Sequence, residues 1–298
     1  LKERVMGLVR SMARTVRGWG WKAMGPFLPE GLDWPWYVRT RDVMASPDND
    51  FIPRVANAGG FVDGCQVMHN GLRIVPGSYY GKPVGKMLEL NKGVHEPQEE
   101  RAFGEVLQHI PAGGVMLELG AYWSFYSMWF CQVVKEARCF MVEPEGENLE
   151  FGKKNFAVNG LSGEFVQGFV GSASRTGGSG TPQIGVDDFL AERGIAHLNI
   201  LHSDIQGFEM EMLKGAARSL AAKAVDFVFI STHSNDLHRS CVQTLQGHGY
   251  RILADADLND SYSFDGLIVA SAPGVAEPAA LAISHKRTDK RRKVRMSG

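Results

Sequence analysis

The sequence predicts an α/β fold, a doubly wound and mostly parallel sheet preceded by an N-terminal accessory segment. Three observations predict it. From Glu96 onward, short apolar runs alternate with stretches of helical period. The connections between them are short and marked by glycine, as at Gly113-Gly114, Gly160 and Gly249. Finally, 298 residues with 44% hydrophobic content supply one sizeable core and an added segment. Strand–helix alternation with short connections implies a sheet covered on both faces, with ligands bound beyond the carboxyl ends of its strands.

The elements follow in order. Residues up to about Ala45 read as helix, with a Trp- and Pro-bearing loop from Gly31 to Trp36. The stretch Leu1–Trp21 mixes Lys2, Arg4, Arg10, Arg14 and Arg17 with apolar residues. It reads as an amphipathic helix packed on the protein, with a membrane-surface helix as the alternative. Cys65–Met68 and Leu72–Val75 flank His69-Asn70-Gly71, where Asn-Gly favours the positive φ of a tight turn, so a hairpin is expected. Gly77–Gly93 reads as loop. Residues 1–90 are taken as the accessory region, 91–283 as the core and 284–298 as a basic, disordered tail.

In the core, helices are expected at Pro97–His109, Phe125–Glu136, Asn148–Asn159, Val186–Arg193, Phe208–Lys223 and Leu237–His248. Strands are expected at Val115–Leu119, Arg138–Val142, Glu164–Val170, Leu198–Ser203, Val225–Ser231, Tyr250–Ala254 and Gly266–Ala270. Gly177–Gly180 is a loop.

Net charge is −1, which by itself points to no polyanionic partner. From His285 to Arg295 the chain carries seven Lys and Arg against Asp289. That run is a solvated end or an anchor for phosphate or acidic glycan. The four cysteines form no CxxC pair, so neither a zinc site nor a disulfide framework is expected, and a reducing cytoplasm suits them. No run of about 18 apolar residues marks a transmembrane helix.

The first strand ends in Glu118-Leu119-Gly120-Ala121. The second ends in Glu143, where an acid can accept hydrogen bonds from both hydroxyls of a ribose. A dinucleotide site needs a Gly-x-Gly-x-x-Gly turn, whereas this one reads Gly120-Ala-Tyr-Trp-Ser-Phe. Its aromatics crowd a pyrophosphate but suit a cofactor without phosphates, such as S-adenosylmethionine, with Tyr122, Trp123 and Phe125 as walls or as core.

Four ordered blocks resemble the FkbM-type methyltransferases, class I enzymes that use S-adenosylmethionine, mostly for O-methylation. Val94-His95-Glu96-Pro97 is similar to that family's Tyr-Glu-Pro. Leu117 to Ala121 is similar to its Asp-Val-Gly-Ala turn. Val142-Glu143-Pro144 with Asn155 and Asn159-Gly160 matches its Glu-Pro…Asn…Asn-Gly. Val186 to Leu190, His202 to Glu209 and Leu213 to Ala216 match its Leu-Asp…Lys-Ile-Asp-Val-Glu-Gly-Ala-Glu…Leu-Lys-Gly-Ala. The likeness runs from Val94 to Ala270. It implies a seven-stranded Rossmann-like sheet and a cofactor site at Glu96, Glu118, Gly120, Tyr122, Ser124, Glu143, Pro144 and Asp204. Glu96 would lie toward the methionine end. The family's Asn-x-Gly after the turn is Tyr122-Trp-Ser124 here, and its lysine and glutamate of the last block are His202 and Gln206.

For the chemistry, Asp204 is expected just beyond the fourth strand, with His202 two residues before it on the same strand face. His233 follows the fifth strand and His238 opens the next helix. The favoured mechanism makes His233 the general base, with Asp204 positioning a hydroxyl acceptor. The alternative holds a divalent cation on Asp204, His233 and His202. The acceptor implied is a hydroxyl of a sugar, glycan or secondary metabolite, with no nucleic acid expected. A catalytically silent binding module and an RNA methyltransferase are the rival readings.

Overall fold

A computed structural model describes residues 32–175, 180–276, 278 and 281–289. The expected helix at Leu1–Trp21, most of the 177–180 loop and the tail beyond Asp289 lie outside the described residues.

A seven-stranded sheet forms the centre, in the order β11-β12-β10-β9-β4-β5-β6. Its strands are β4 (Val115–Leu119), β5 (Arg138–Glu143), β6 (Glu164–Gln167), β9 (Leu198–Ser203), β10 (Val225–Thr232), β11 (Arg251–Ala256) and β12 (Gly266–Ser271). All neighbours pair in parallel except β12, which runs antiparallel to β10 and β11. The doubly wound α/β expectation therefore holds. The chain leaves β4 toward β5 and β6, then returns to β9 on the other side, so the switch point lies between β4 and β9. There Leu119 is in register with Ser203, which brings Gly120 alongside Asp204.

Successive strand residues point to opposite faces. Met116, Ile200 and Phe227 join Phe103, Phe125 and Trp129 in one core layer. Leu117, Leu201 and Val228 join Phe189, Leu213 and Leu245 in the other. The first layer lies under α3 (Pro97–Leu107) and α4 (Phe125–Val133).

The accessory region does not stand apart from this core. Val43, Met68, Ile74, Val84 and Met87 belong to the same apolar layer as Phe103. The predicted hairpin is present as β2 (Cys65–Val67) and β3 (Arg73–Ile74), with Gly71 at φ 87° and a further short strand β1 (Phe61–Val62). It is tied to α5 (Gly146–Val158): Asn159 Oδ1 accepts from Arg73 N at 2.9 Å and Asn155 Oδ1 from Val75 N at 2.8 Å. Two asparagines of the family-like block thus hold the accessory hairpin to the core.

Several expected boundaries need correction. Trp34–Trp36 is not loop but the start of α1 (Trp34–Met44). Asp33 caps it by accepting from Trp36 N, and Pro35 falls in the first turn, where no N–H is required. Gly77–Gly93 contains α2 (Lys82–Leu90), with Pro83 in its first turn and Val84, Met87 and Leu88 buried at helical spacing. The run Glu164–Val170 divides at Gly168: β6 stays in the sheet, while β7 (Phe169–Val170) pairs with β8 (Gln183–Ile184). Phe208–Lys223 divides into α7 (Glu209–Gly215) and α8 (Ala217–Ala221). Before them comes α6 (Val186–Glu192), and after β10 comes α9 (Asn235–Gly247). The start of the basic tail is docked, because acids receive it: Ser284 N meets Asp48 Oδ2 at 3.1 Å, Lys286 meets Asp42 at 2.7 Å and Arg287 meets Asp260 at 2.6 Å.

Candidate active site

At the end of β4 the backbone turns over at Gly120, with φ 75°. A Cβ there would sit 1.9 Å from the Asp204 carbonyl oxygen, so only glycine permits this approach of the two strand ends. Tyr122 and Ser124 also have positive φ, 42° and 60°. The related family places asparagine and glycine at these two positions, the residue types that tolerate the left-handed region best. The tyrosine and serine found here adopt it against their preference. Ser124 Oγ is buried without a hydrogen-bond partner, next to Gly152.

Glu143 ends β5 and faces the turn. Its Oε2 accepts from Tyr122 N at 3.1 Å; its Oε1 accepts from Glu145 N at 3.0 Å and Asn148 Nδ2 at 3.2 Å. Burial pushes its carboxyl up, against these donors. Pro144 follows, half-buried, its carbonyl accepting from Gln167. Glu118 lies behind the turn and accepts from Ser127 N at 3.1 Å, in the first turn of α4. Burial raises it too. Aromatics cover the turn: Tyr79 stacks on Trp123 with centroids 4.5 Å apart, and Tyr122 Oη accepts from Tyr80 N at 3.3 Å.

A second cluster beside the turn is built from more distant parts of the chain. His233, just past β10, is ringed by acids. Its Nδ1–H donates to Glu209, a fully buried carboxylate at the start of α7. Its Nε2 lies 3.2 Å from Asp204 Oδ1 and 3.3 Å from Asp265 Oδ1. The Gln206 amide nitrogen, 2.7 Å from the same Nε2, asks that atom to accept a proton, whereas the two carboxylates ask it to donate. Two charged acceptors outweigh one neutral amide, so the imidazolium is the resting form. Burial opposes the charge, but Asp265, Asp204 and Glu209 raise the imidazole to about 11. A histidine so held is no general base poised near neutrality. That expectation for His233 rested on its unperturbed value and did not include three acids.

Asp265 is the residue the sequence reading missed. It precedes β12 and keeps 18% of its side chain exposed. It lines a small cavity with Glu96, Glu99, Ser231 and Ser263. Burial, opposed by His233 and reinforced by Asp204 and Glu96, pushes its carboxyl up to about 7. The signal lay in Phe264-Asp265-Gly266, an acid at the mouth of a strand. It could be read only once that strand was known to lie next to β10 with the opposite direction.

His202 and Glu96 belong to a second, internal cluster. His202 Nε2 meets Glu99 Oε1 at 2.7 Å, and its ring lies 4.4 Å from that of Tyr126. Glu96 pairs with Arg39 at 3.1 Å and with His95 at 3.3 Å. Against its burial, these cations hold its carboxyl at about 2. His95 also meets Glu100 at 2.6 Å and is raised to about 10 by Glu100 and Glu96, although burial opposes this. His238 is likewise engaged, between Thr232 Oγ1 and Asp255 Oδ1 at 2.8 Å each. Asp204, His233 and His202 are thus not assembled as a cation site. Among the described residues no group of three or more histidines, cysteines and acids is arranged to hold a metal.

Comparison with known proteins gives one partial family match and several distant structural likenesses. Residues 150–252 match the sequence model of the Methyltransferase FkbM domain. The stretch includes Asn155, Asn159, Asp204 and His233; the Gly120 turn and Glu143 precede it. The resemblance to FkbM-type methyltransferases is therefore matched over residues 150–252. No curated protein sequence matches. Among solved structures, precorrin-6y C5,15-methyltransferase of Geobacter metallireducens is similar at TM-score 0.41 and 14% identity, over 57% of this chain and 87% of its own. TrmK of M. capricolum, in complex with S-adenosylhomocysteine, is similar at 0.41 and 12%, over 62% and 75%. A putative rRNA-methylase of Clostridium thermocellum is similar at 0.43 and 6%, over 61% and 97%.

Proposed function

We propose that this protein is an S-adenosylmethionine-dependent O-methyltransferase acting on a hydroxyl of a sugar, glycan or secondary metabolite. The observation that carries the reading is the acid pair Asp204 and Asp265, bridged by the His233 imidazolium, at strand ends beside the Gly120 turn.

The residues at the turn fit the cofactor. Gly120 lets the ends of β4 and β9 close on one another at the turn, where a Cβ would meet the Asp204 carbonyl. Glu143 presents a carboxylate at the strand end, with lone pairs beyond those its three protein donors use. S-adenosylmethionine, when bound, supplies a methyl group on a sulfonium whose sulfur leaves as the neutral thioether. Asp204 and Asp265 present oxygens toward which an acceptor hydroxyl can point, and Asp265, titrating near neutrality, takes its proton. His233 holds both acids in place, and Glu209 fixes the ring through Nδ1. In this reading Asp265 replaces His233 as the base, and His233 is a positioning residue.

The test is transfer of labelled methyl from S-adenosylmethionine to a panel of sugars, glycans and phenols, with tRNA alongside. Label on a hydroxyl oxygen, lost in Asp265→Asn, is the expected result. Label on tRNA alone would replace the reading with RNA methylation. A second reading, a catalytically silent module, is favoured by Tyr122 and Ser124 at positive φ in the cofactor turn. It predicts no binding of S-adenosylhomocysteine.

A further inference from the structure

The chain has four cysteines, and the fold brings two of them together. Cys131 lies near the end of α4 and Cys139 is the second residue of β5; α4 packs on β5, and the two Sγ atoms are 2.6 Å apart. Cys131 is half-buried, next to exposed Gln132 and Val133, so a small oxidant can reach it. Cys139 is buried behind it, its Sγ donating to Ser127 O at 3.6 Å. The other two are apart from this pair: Cys65 lies in β2 of the accessory hairpin, and Cys241 is buried beside Met210.

We propose that Cys131 and Cys139 form a thiol-modification site, which a low-molecular-weight disulfide converts to an intramolecular disulfide. The Cys131 thiolate attacks one sulfur of the oxidant, forming a mixed disulfide and releasing one thiol. Cys139 then attacks the Cys131 sulfur, the internal S–S bond forms and the second thiol leaves. Two cysteine thiols lose two protons and two electrons, and one external disulfide gains them to become two thiols. The order follows from access: burial pushes the Cys139 thiol well above its usual range, so the outer sulfur meets the oxidant first.

The location gives the bond a consequence. β5 ends in Glu143, and Ser127 of α4 donates its N–H to Glu118. A Cys131–Cys139 bond would tether the two elements that flank the Gly120 turn. It would also remove the thiol that now donates to Ser127 O.

The experiment treats the reduced full chain with oxidised glutathione under native conditions, blocks free thiols with iodoacetamide, and digests with trypsin, which cuts between the two cysteines at Lys135 and Arg138. The expected product is a peptide pair linked through Cys131 and Cys139, with Cys65 and Cys241 still alkylated. Dithiothreitol should reverse the link, and Cys131→Ser should abolish it. Full alkylation of Cys139 would overturn the proposal, as would a lasting glutathione adduct on Cys131, or a link that forms only in denaturant. Circular dichroism of each sample identifies a variant that has merely unfolded.

Discussion

The two halves of the candidate site are built differently. The proposed cofactor end is local: Glu118, Gly120, Tyr122, Ser124 and Glu143 come from one strand–helix–strand unit, and backbone shape does most of the selecting. The proposed acceptor end is assembled from Asp204, Glu209, His233 and Asp265, which approach one another only when β9, β10 and β12 lie side by side. A short motif specifies the first, whereas the second depends on sheet order and on balanced buried charge. Damage to the cofactor end should therefore act through sterics, and damage to the acceptor end through electrostatics and pH.

The largest expected effect is at the acceptor end. His233→Ala leaves Glu209 buried without its cation, a loss of roughly 3–5 kcal/mol in denaturant unfolding. In the intact protein the imidazole is raised to about 11 from 6.5. A group raised on folding stabilises fully below its unfolded value and loses that contribution as pH climbs through its folded value. Wild-type stability should then decline from about pH 6.5 toward 11, and the variant should lack this decline. Identical pH profiles would contradict the bridging role.

Next comes the cofactor end. Gly120→Ala places a methyl 1.9 Å from the Asp204 carbonyl at positive φ. We expect a loss of about 2–4 kcal/mol, with little change in its dependence on pH.

Asp265→Asn has the opposite sign. Its carboxyl is raised to about 7 from 3.8, so ionising it costs stability as pH rises between those values. The variant should be more stable than wild type by about 1–3 kcal/mol at pH 8. A gain in stability with loss of methyl transfer would mark a group kept for function at a cost to the fold. Equal or lower stability would show that Asp265 is mainly a structural partner of His233.

The smallest effect belongs to Ser124→Gly. It relieves a left-handed serine and removes an unsatisfied hydroxyl, worth about 1 kcal/mol of added stability by thermal unfolding. Destabilisation would mean that the serine is needed there.

The same contrast explains what could be read in the sequence. Strands β4, β5, β9 and β10 were legible because each is an apolar run closed by a break. Gly120, Glu143 and Asp204 are each the last or next residue of such a run, and Glu118 stands one residue before the end of its own. Helix α2 was hidden by the glycines and tyrosines before it, although Val84, Met87 and Leu88 carried a helical period. His202 falls inside β9 and His233 just past β10, and that offset alone does not reveal their partners. Only the packed structure gives one to Glu99 inside and the other to Asp204 and Asp265 at the strand ends. Asp265 and the Cys131–Cys139 pair were likewise invisible, since each depends on a neighbour supplied by a different element.

The most direct test of a separate cofactor end is one calorimetric titration with S-adenosylhomocysteine, run on wild type, Glu143→Ala and Asp265→Asn. A local cofactor end separate from the acceptor end predicts micromolar binding by wild type. Glu143→Ala should bind about 10- to 100-fold more weakly, the loss of hydrogen bonds to a charged group, and Asp265→Asn should bind unchanged. No binding by well-folded wild type, or equal weakening in both variants, would contradict it.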